Sequence, residues 1–274
     1  MTAIDPRALA EELKAAYALR RTDIDPPSSR HSHFDLDDAY AVQAEVARAR
    51  RADGRVTVGW KVGYANKALW RALKLDTLTW AHIYADTVQH AAGEATSLPV
   101  TSLCSPKIEP EVVVKLNAPV ASTDAAVVLE SVEWLALGFE IIDCVYTDWK
   151  FQPADFVAAF GLHAMLIVGE PQFVRHADVA ALADQLAQFK LQLRRNGKLI
   201  EEGSGKNALR SPALVVAELA AAMSRRPNGE QLKAGDLIST GTLTTSQPIE
   251  VGQRWQAIAE GIDLPPLTMN VTPR

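Results

Sequence analysis

Lys107-Ile108-Glu109-Pro110-Glu111-Val112-Val113-Val114-Lys115-Leu116 is the run whose reading decides the fold. Its β-branched residues favour an extended strand, in which successive side chains alternate between faces. Lys107, Glu109 and Glu111 then share one face, and Ile108, Pro110 and Val112 share the other. The two carboxylates stand about 7 Å apart at a rise of about 3.3 Å per residue, close enough to raise each other's proton affinity unless a cation lies between them. A hard divalent ion meets that need. The alternative is an exposed edge strand with two solvated glutamates, which Pro110 suits because proline cannot donate to a sheet ladder.

Outward from this run, Trp134-Leu135-Ala136-Leu137-Gly138-Phe139-Glu140-Ile141-Ile142-Asp143 reads as a buried strand from about Ala136. Glu140 is enclosed by Phe139, Ile141 and Ile142, where an unpaired carboxylate is costly, so it requires either a metal or an ion pair with Lys61, Lys107 or Lys150. Thr57-Val58-Gly59-Trp60-Lys61-Val62-Gly63 is a third strand. Its Lys61 stands between glycines that permit close approach, and a lysine so placed either snorkels or serves chemistry.

Asp5-Pro6 caps a helix with an apolar stripe through Leu9, Leu13 and Ala16, ending near Arg20-Arg21. A loop over 23–32 precedes a second helix that begins after Asp35 and runs to Arg51, stopped by Asp53-Gly54. Later come a short helix over 67–73, a strand at Ile83-Tyr84-Ala85, a strand or helix start at Ala126–Leu129, and a helical or mixed segment over 182–190. Asn196-Gly197 marks a hairpin, and Ser211-Pro212 opens a helix to Met223. Strands follow at 236–241, 255–259 and 267–271. Gly203-Ser204-Gly205-Lys206-Asn207 lacks the spacing of a phosphate loop and reads as a turn. The simplest organisation is an α+β chain: a helical N-terminal arm over 1–55 and one mostly β body over 56–274.

The 274 residues are 48% hydrophobic and 22% charged, which suits a globular chain with a sizeable core. A net charge of −5 offers no basic field for nucleic acid, and no run approaches a membrane span. An anionic substrate therefore needs a local device such as a metal. Two cysteines, Cys104 and Cys144, with no paired spacing argue against a disulfide framework or a zinc site. With an N-terminus lacking a signal-peptide pattern, they lead us to expect a cytoplasmic protein.

Five segments in order, Asp38–Gln43, Gly59–Gly63, Lys107–Glu111, Gly138–Asp143 and Ile238-Ser239-Thr240-Gly241-Thr242-Leu243, resemble the 2-keto-4-pentenoate hydratase and 4-oxalocrotonate decarboxylase branch of the fumarylacetoacetate hydrolase superfamily. The resemblance spans nearly the whole chain. It implies a mixed β-roll core, homo-oligomers, and Mg²⁺ or Mn²⁺ held by Glu109, Glu111 and Glu140, with Lys61 as the active-site lysine. It also implies a lyase, hydratase or decarboxylase, acting on a short unsaturated 2-oxo or 2-hydroxy acid of aromatic meta-cleavage, with Ser239, Thr240 and Thr242 as substrate contacts. An acylpyruvate-type C–C hydrolase and a non-catalytic subunit that binds metal or keto acid are the alternatives. Two segments depart from the family pattern: Leu78-Thr79-Trp80-Ala81 places Thr79 where an acid is usual, and Ala158-Ala159-Phe160-Gly161-Leu162-His163 replaces a polar run. These departures make His82 and His163 candidates for acid–base work or substrate contact.

Overall fold

The β-branched and aromatic runs of the chain become two sheets in a computed structural model, which describes residues 4–92, 95–226 and 229–273. The strands are β1 (Thr57–Gly63), β2 (Thr79–Tyr84), β3 (Val88–His90), β4 (Thr96–Pro99), β5 (Lys107–Leu116), β6 (Val132–Ile142) and β7 (His163–Val168). They continue with β8 (Gln172–Phe173), β9 (Lys190–Arg195), β10 (Lys198–Ser204), β11 (Leu237–Ser239), β12 (Gln247–Pro248), β13 (Arg254–Glu260) and β14 (Leu267–Thr272). The large mixed sheet runs β2-β1-β11-β5-β6-β7-β3, and the smaller runs β10-β9-β13-β14-β4.

β5 and β6 form the spine of the large sheet. Their antiparallel register sets Glu109 opposite Glu140 and Glu111 opposite Gly138. The other face of the same two strands carries Ile108, Val112, Val114, Leu135, Leu137, Phe139 and Ile141, all in the main apolar core. Each such side chain contributes roughly 1.5–3 kcal/mol on burial, so the apolar face anchors strands whose opposite face holds buried charge.

β5 is not an edge strand: β6 flanks it on one side, and β11 and β12 on the other. Pro110 is tolerated there because β11 leaves the sheet after Ser239 and β12 enters at Gln247, opposite Ile108. The proline nitrogen faces that gap, where no ladder hydrogen bond is lost.

The helices are α1 (Pro6–Ala18), α2 (Pro27–Arg30), α3 (Leu36–Ala52), α4 (Trp70–Leu73), α5 (Ala125–Glu130), α6 (Pro153–Ala158), α7 (Val179–Gln188) and α8 (Pro212–Ser224). Asp5 and Asp35 cap α1 and α3 as their sequence positions predict. α1 and α3 share an apolar cluster with Ile142, Tyr146, Phe156, Phe160 and Leu162, so the N-terminal helices back the wall that ends β6. Among the described residues, no helix is long and apolar enough to cross a membrane.

Several boundaries differ from the sequence reading. β2 begins at Thr79 rather than Ile83, and β6 at Val132 rather than Ala136, because pairing with β1 and β5 extends both past their most apolar residues. Ala126–Leu129 is helical, capped by Asp124. Asp143, the acid ending the buried run, is a backbone clamp: its carboxylate accepts from the amides of Cys104 (2.8 Å), Ser105 (2.6 Å) and Cys144 (3.1 Å).

Asp143→Ala leaves three amides without their acceptor, at a cost of about 1–3 kcal/mol for each that stays buried. Urea unfolding should show a loss of about 3 kcal/mol. Asp86→Ala, which removes an exposed ion pair with Arg55, should stay within about 0.5 kcal/mol of wild type. Equal losses in the two variants would contradict the clamp.

Candidate metal centre and its chamber

The register of four strands places the site on one sheet face. Lys61 pairs with Ser239 across β1 and β11, and Ser239 pairs with Val113 across β11 and β5, in phase with Glu111, Glu109 and Glu140. One oxygen from each of Glu109, Glu111 and Glu140 lies within 4.8 Å of the others.

Each acid is held differently. Glu111 is fully buried, and its Oε2 accepts from the Ser239 hydroxyl (2.5 Å) and the Gly241 amide (2.8 Å). Its Oε1 is buried with no hydrogen-bond partner among the described residues. Glu140 Oε1 accepts from His163 Nδ1 at 2.9 Å, and Oε2 faces the Lys61 ammonium at 3.1 Å. Glu109 is half-buried and lines the adjoining chamber.

Lys61 is almost wholly buried, and its ammonium donates to the Gly161 carbonyl at 2.9 Å. That carbonyl is presented by a left-handed turn, with φ of 62° at Phe160, 65° at Gly161 and 57° at Leu162. A Cβ on Gly161 would lie 2.7 Å from Lys61 Cδ, so only glycine lets the lysine stem pass. Tyr64 and Trp149, which line the chamber, also have left-handed φ (58° and 57°), and such conformations persist where the surroundings over-determine them.

The electrostatics are those of a cluster with excess negative charge. Burial and the neighbouring Glu140 push Glu109 up to about 7, against the pull of Lys61 and Lys107. Burial, with Glu140 and Glu109, holds Glu111 well above the usual carboxylate range. Burial also raises Glu140, but Lys61 and His163 outweigh it and the carboxyl is lowered. Burial lowers Lys61, and the three glutamates outweigh that and raise it. Three acids against one ammonium, with a buried Glu111 oxygen that has no hydrogen-bond partner among the described residues, are a donor set that fits a hard divalent cation.

Of the expected site residues, the structure brings together Lys61, Glu109, Glu111, Glu140, Ser239 and His163. Ser239 and His163 act on the glutamates: the first fixes Glu111, and the second bridges Glu140 to Thr87 Oγ1, 2.9 Å from His163 Nε2. The Thr240 hydroxyl is spent on the Val112 carbonyl, whereas Thr242 lines the chamber and donates to the Thr244 carbonyl. His82 is not brought to the site. It pairs with Trp60, one position out of phase with Lys61, and projects from the opposite face, where Nε2 meets Glu230 Oε2 at 2.8 Å. Thr79 lies on the Lys61 face opposite Gly63, buried, and its hydroxyl has no hydrogen-bond partner among the described residues. Of the two fates open to Glu140, the ion pair with Lys61 is present, and the carboxylate also belongs to the acidic cluster. Lys150 is engaged with Asp148 at the surface, and the Lys107 ammonium lies 3.8 Å from the Trp149 ring centroid.

Sequence reasoning missed the Gly161 carbonyl, the Gly241 amide and the chamber walls. In the sequence, Phe160-Gly161-Leu162 stands out as a departure from the family pattern, and a glycine between two bulky residues is itself a signal for close approach. The chamber, of about 260 Å³, opens beside Glu109 and Lys61.

Fold and site together define a mixed-sheet protein with a buried carboxylate cluster and one buried lysine facing a small chamber. The chain belongs to the fumarylacetoacetate (FAA) hydrolase C-terminal family, whose model matches residues 60–271. It is 29% identical to the 2-hydroxyhexa-2,4-dienoate hydratase of Comamonas testosteroni over 93% of this chain and 92% of that protein. It is 30% identical to 2-keto-4-pentenoate hydratase 2 of Dechloromonas aromatica (strain RCB), over 94% of each. The structure of 4-oxalocrotonate decarboxylase from Pseudomonas putida G7, complexed with magnesium and adipate, superposes with a TM-score of 0.86 at 25% identity, covering 99% of this chain and 100% of that one.

Because the folded-state pKa of Glu109 stands above its unfolded value, its stabilising contribution to the metal-free protein is whole below the ordinary glutamate range. It is lost as pH rises through about 7. A divalent cation competes with those protons, so its stabilisation should grow over the same window. Thermal melts with and without Mn²⁺ should differ little at about pH 5 and clearly at about pH 8. A shift that is independent of pH would contradict the assignment of the acids.

Proposed function

We propose that the protein is a divalent-metal-dependent lyase, using Mg²⁺ or Mn²⁺, that hydrates or decarboxylates a short unsaturated 2-oxo or 2-hydroxy acid of aromatic meta-cleavage catabolism. The observation that carries this reading is the cluster of Glu109, Glu111 and Glu140, with the Lys61 ammonium 3.1 Å from Glu140 and with Glu109 and Lys61 both lining a small chamber. Likeness over nearly full length to two hydratases and a decarboxylase supports it.

Glu109, Glu111 and Glu140 would hold the ion. When bound, it supplies Lewis-acid charge that attracts a 2-oxo acid's carboxylate and 2-oxygen and lowers the cost of negative charge developing on that oxygen. Lys61 is the proton-handling group. An ammonium has three N–H bonds; one is donated to the Gly161 carbonyl, the nitrogen faces Glu140 Oε2 at 3.1 Å as an ion pair, and Lys61 also lines the chamber, where it can donate to a substrate. In hydration a proton leaves the 2-hydroxyl, another is delivered to the far end of the conjugated system, and water adds across the remaining double bond. In decarboxylation the electrons left by departing CO₂ enter the same system, and a proton replaces the lost carboxyl. Both reactions need a proton held at Lys61 Nζ.

Ser239 and the Gly241 amide keep Glu111 from turning into the chamber, and His163 does the same for Glu140. Phe156 and Leu162 shield the lysine from bulk water. Glu109, Lys61 and Tyr64 are the titratable groups lining the chamber among the described residues, which leaves no histidine or separate carboxylate as the base a C–C hydrolase requires.

Purified protein with Mg²⁺ or Mn²⁺ should consume 2-hydroxypenta-2,4-dienoate or 2-oxo-3-hexenedioate, followed as loss of conjugated absorbance and, for the second, release of CO₂. No turnover of either would refute the reading. Lys61→Met should retain the metal-induced rise in melting temperature and lose at least about 10²-fold in kcat. A fully active Lys61→Met would remove the lysine from the chemistry.

A further inference from the structure

A second cavity, of about 620 Å³, has a lining set against the overall sign of the chain. Lys67, Lys206 and Arg210 line it, all three exposed, and none of them forms an ion pair among the described residues. The one acid of the lining, Glu218, is already engaged by the Thr77 hydroxyl at 2.5 Å and by Arg225 at 3.0 Å. In a chain of net charge −5, three uncompensated cations around one cavity make a local positive field. Lys67 sits 5.6 Å from the Trp70 ring centroid, a contact that packs its stem and leaves its charge in place. Leu209 and Arg210 are both in left-handed backbone, with φ of 45° and 72°, which non-glycine residues keep where the surroundings over-determine them. The glycine-rich turn at 203–207, which is no phosphate loop, brings Lys206 and Asn207 to this cavity.

The cavity adjoins the chamber beside Glu109 and Lys61. Residues 66–70 are the partition: Asn66 lines both spaces, Leu69 lines the chamber, and Lys67, Ala68 and Trp70 line the cationic cavity. Asn66 Oδ1 accepts from the Ala68 amide, which leaves the side-chain N–H bonds to meet a carboxylate at the threshold. The cationic loop is also tied to the chamber walls. The Leu209 amide donates to the Ala65 carbonyl at 2.9 Å and Asn207 Nδ2 to the Leu243 carbonyl at 2.7 Å, and both Ala65 and Thr242 line the chamber. We propose that this cavity is an antechamber, which collects small organic carboxylates by their charge and passes them across Asn66 to the chamber. Lys67, Lys206 and Arg210 then act on arrival and touch no reacting atom. The proposal rests on the reading that the chamber receives a 2-oxo acid, and it supplies the local device by which a negatively charged chain attracts one.

Binding kinetics separate this proposal from the reading beneath it. The full chain, saturated with Mn²⁺, is mixed rapidly with 2-oxopentanoate, and the change in tryptophan fluorescence, to which Trp149 in the chamber wall contributes, gives the association and dissociation rates. A triple variant, Lys67→Gln, Lys206→Gln and Arg210→Gln, changes exposed side chains only and should melt as the wild type does. Its association should be slower at least about tenfold at about 0.01 M ionic strength and less than about twofold at about 0.5 M, where salt screens exposed charges. Dissociation should change less than about threefold. A second triple variant, Lys190→Gln, Lys198→Gln and Arg254→Gln, removes the same charge from exposed positions on the smaller sheet and should slow association less than about twofold. Equal slowing in the two variants would trace the effect to net charge, and unchanged association in the first would show that the acid arrives by another route. Either result, or a change confined to dissociation, overturns the antechamber and leaves the proposed function standing. No binding by the wild-type protein overturns both.

Discussion

Three carboxylates held against one buried ammonium, on a single face of a sheet, are the constraint on which the rest of this structure depends. Moving such groups out of water costs several kcal/mol per ion even after relaxation, and one lysine cannot offset three acids. The protein resolves this unevenly. Glu140 receives both the Lys61 ion pair and His163, and its carboxyl is lowered; Glu109 and Glu111 are left with excess proton affinity, and Glu111 Oε1 has no hydrogen-bond partner among the described residues. Protons or a cation can supply the missing positive charge, so the electrostatics that make the cluster costly also fit it to a divalent cation.

Everything that fixes the cluster lies within a few residues of it in space and far away in sequence. Antiparallel pairing of β5 and β6 sets Glu109 beside Glu140, and parallel pairing of β1 with β11 brings Lys61 and Ser239 in phase with them. The chain then leaves the sheet after Ser239, so that the Gly241 amide can turn back onto Glu111 while the gap accommodates Pro110. On the opposite wall, a left-handed turn through Phe160, Gly161 and Leu162 offers its carbonyl to Lys61, and α1 and α3 pack behind that turn. Backbone strain and a shared apolar cluster thus bear on one carbonyl and one ammonium.

Much of this was legible in the sequence, for physical reasons. Alternation in a β-branched run places Glu109 and Glu111 on one face wherever the strand lies, and an acid flanked by Phe139, Ile141 and Ile142 must be partnered. Lys61 was visible as a lysine between glycines. The edge-strand reading of Pro110 failed because whether a proline nitrogen faces a neighbour or a gap depends on where a strand over a hundred residues later leaves the sheet. His82 misled for a related reason: one position of strand phase separates it from the Lys61 face, and phase across β1 and β2 is set by pairing rather than by composition. Gly161 and the chamber walls were hidden because a carbonyl presented by a left-handed turn, and aromatic rings converging from Trp149, Phe151 and Phe156, are products of tertiary packing. No local pattern encodes the chamber walls, and the glycine at 161 signals a close approach without naming its partner.

The central claim, that Glu109, Glu111 and Glu140 form a metal centre beside Lys61, is tested most directly by crystals grown with Mn²⁺ and diffraction data collected at the manganese absorption edge. The account predicts one strong anomalous peak per chain, within coordinating distance of an oxygen from each of the three glutamates and on the chamber side of Lys61. No peak there at full Mn²⁺ loading, or a peak coordinated by other side chains, would contradict it.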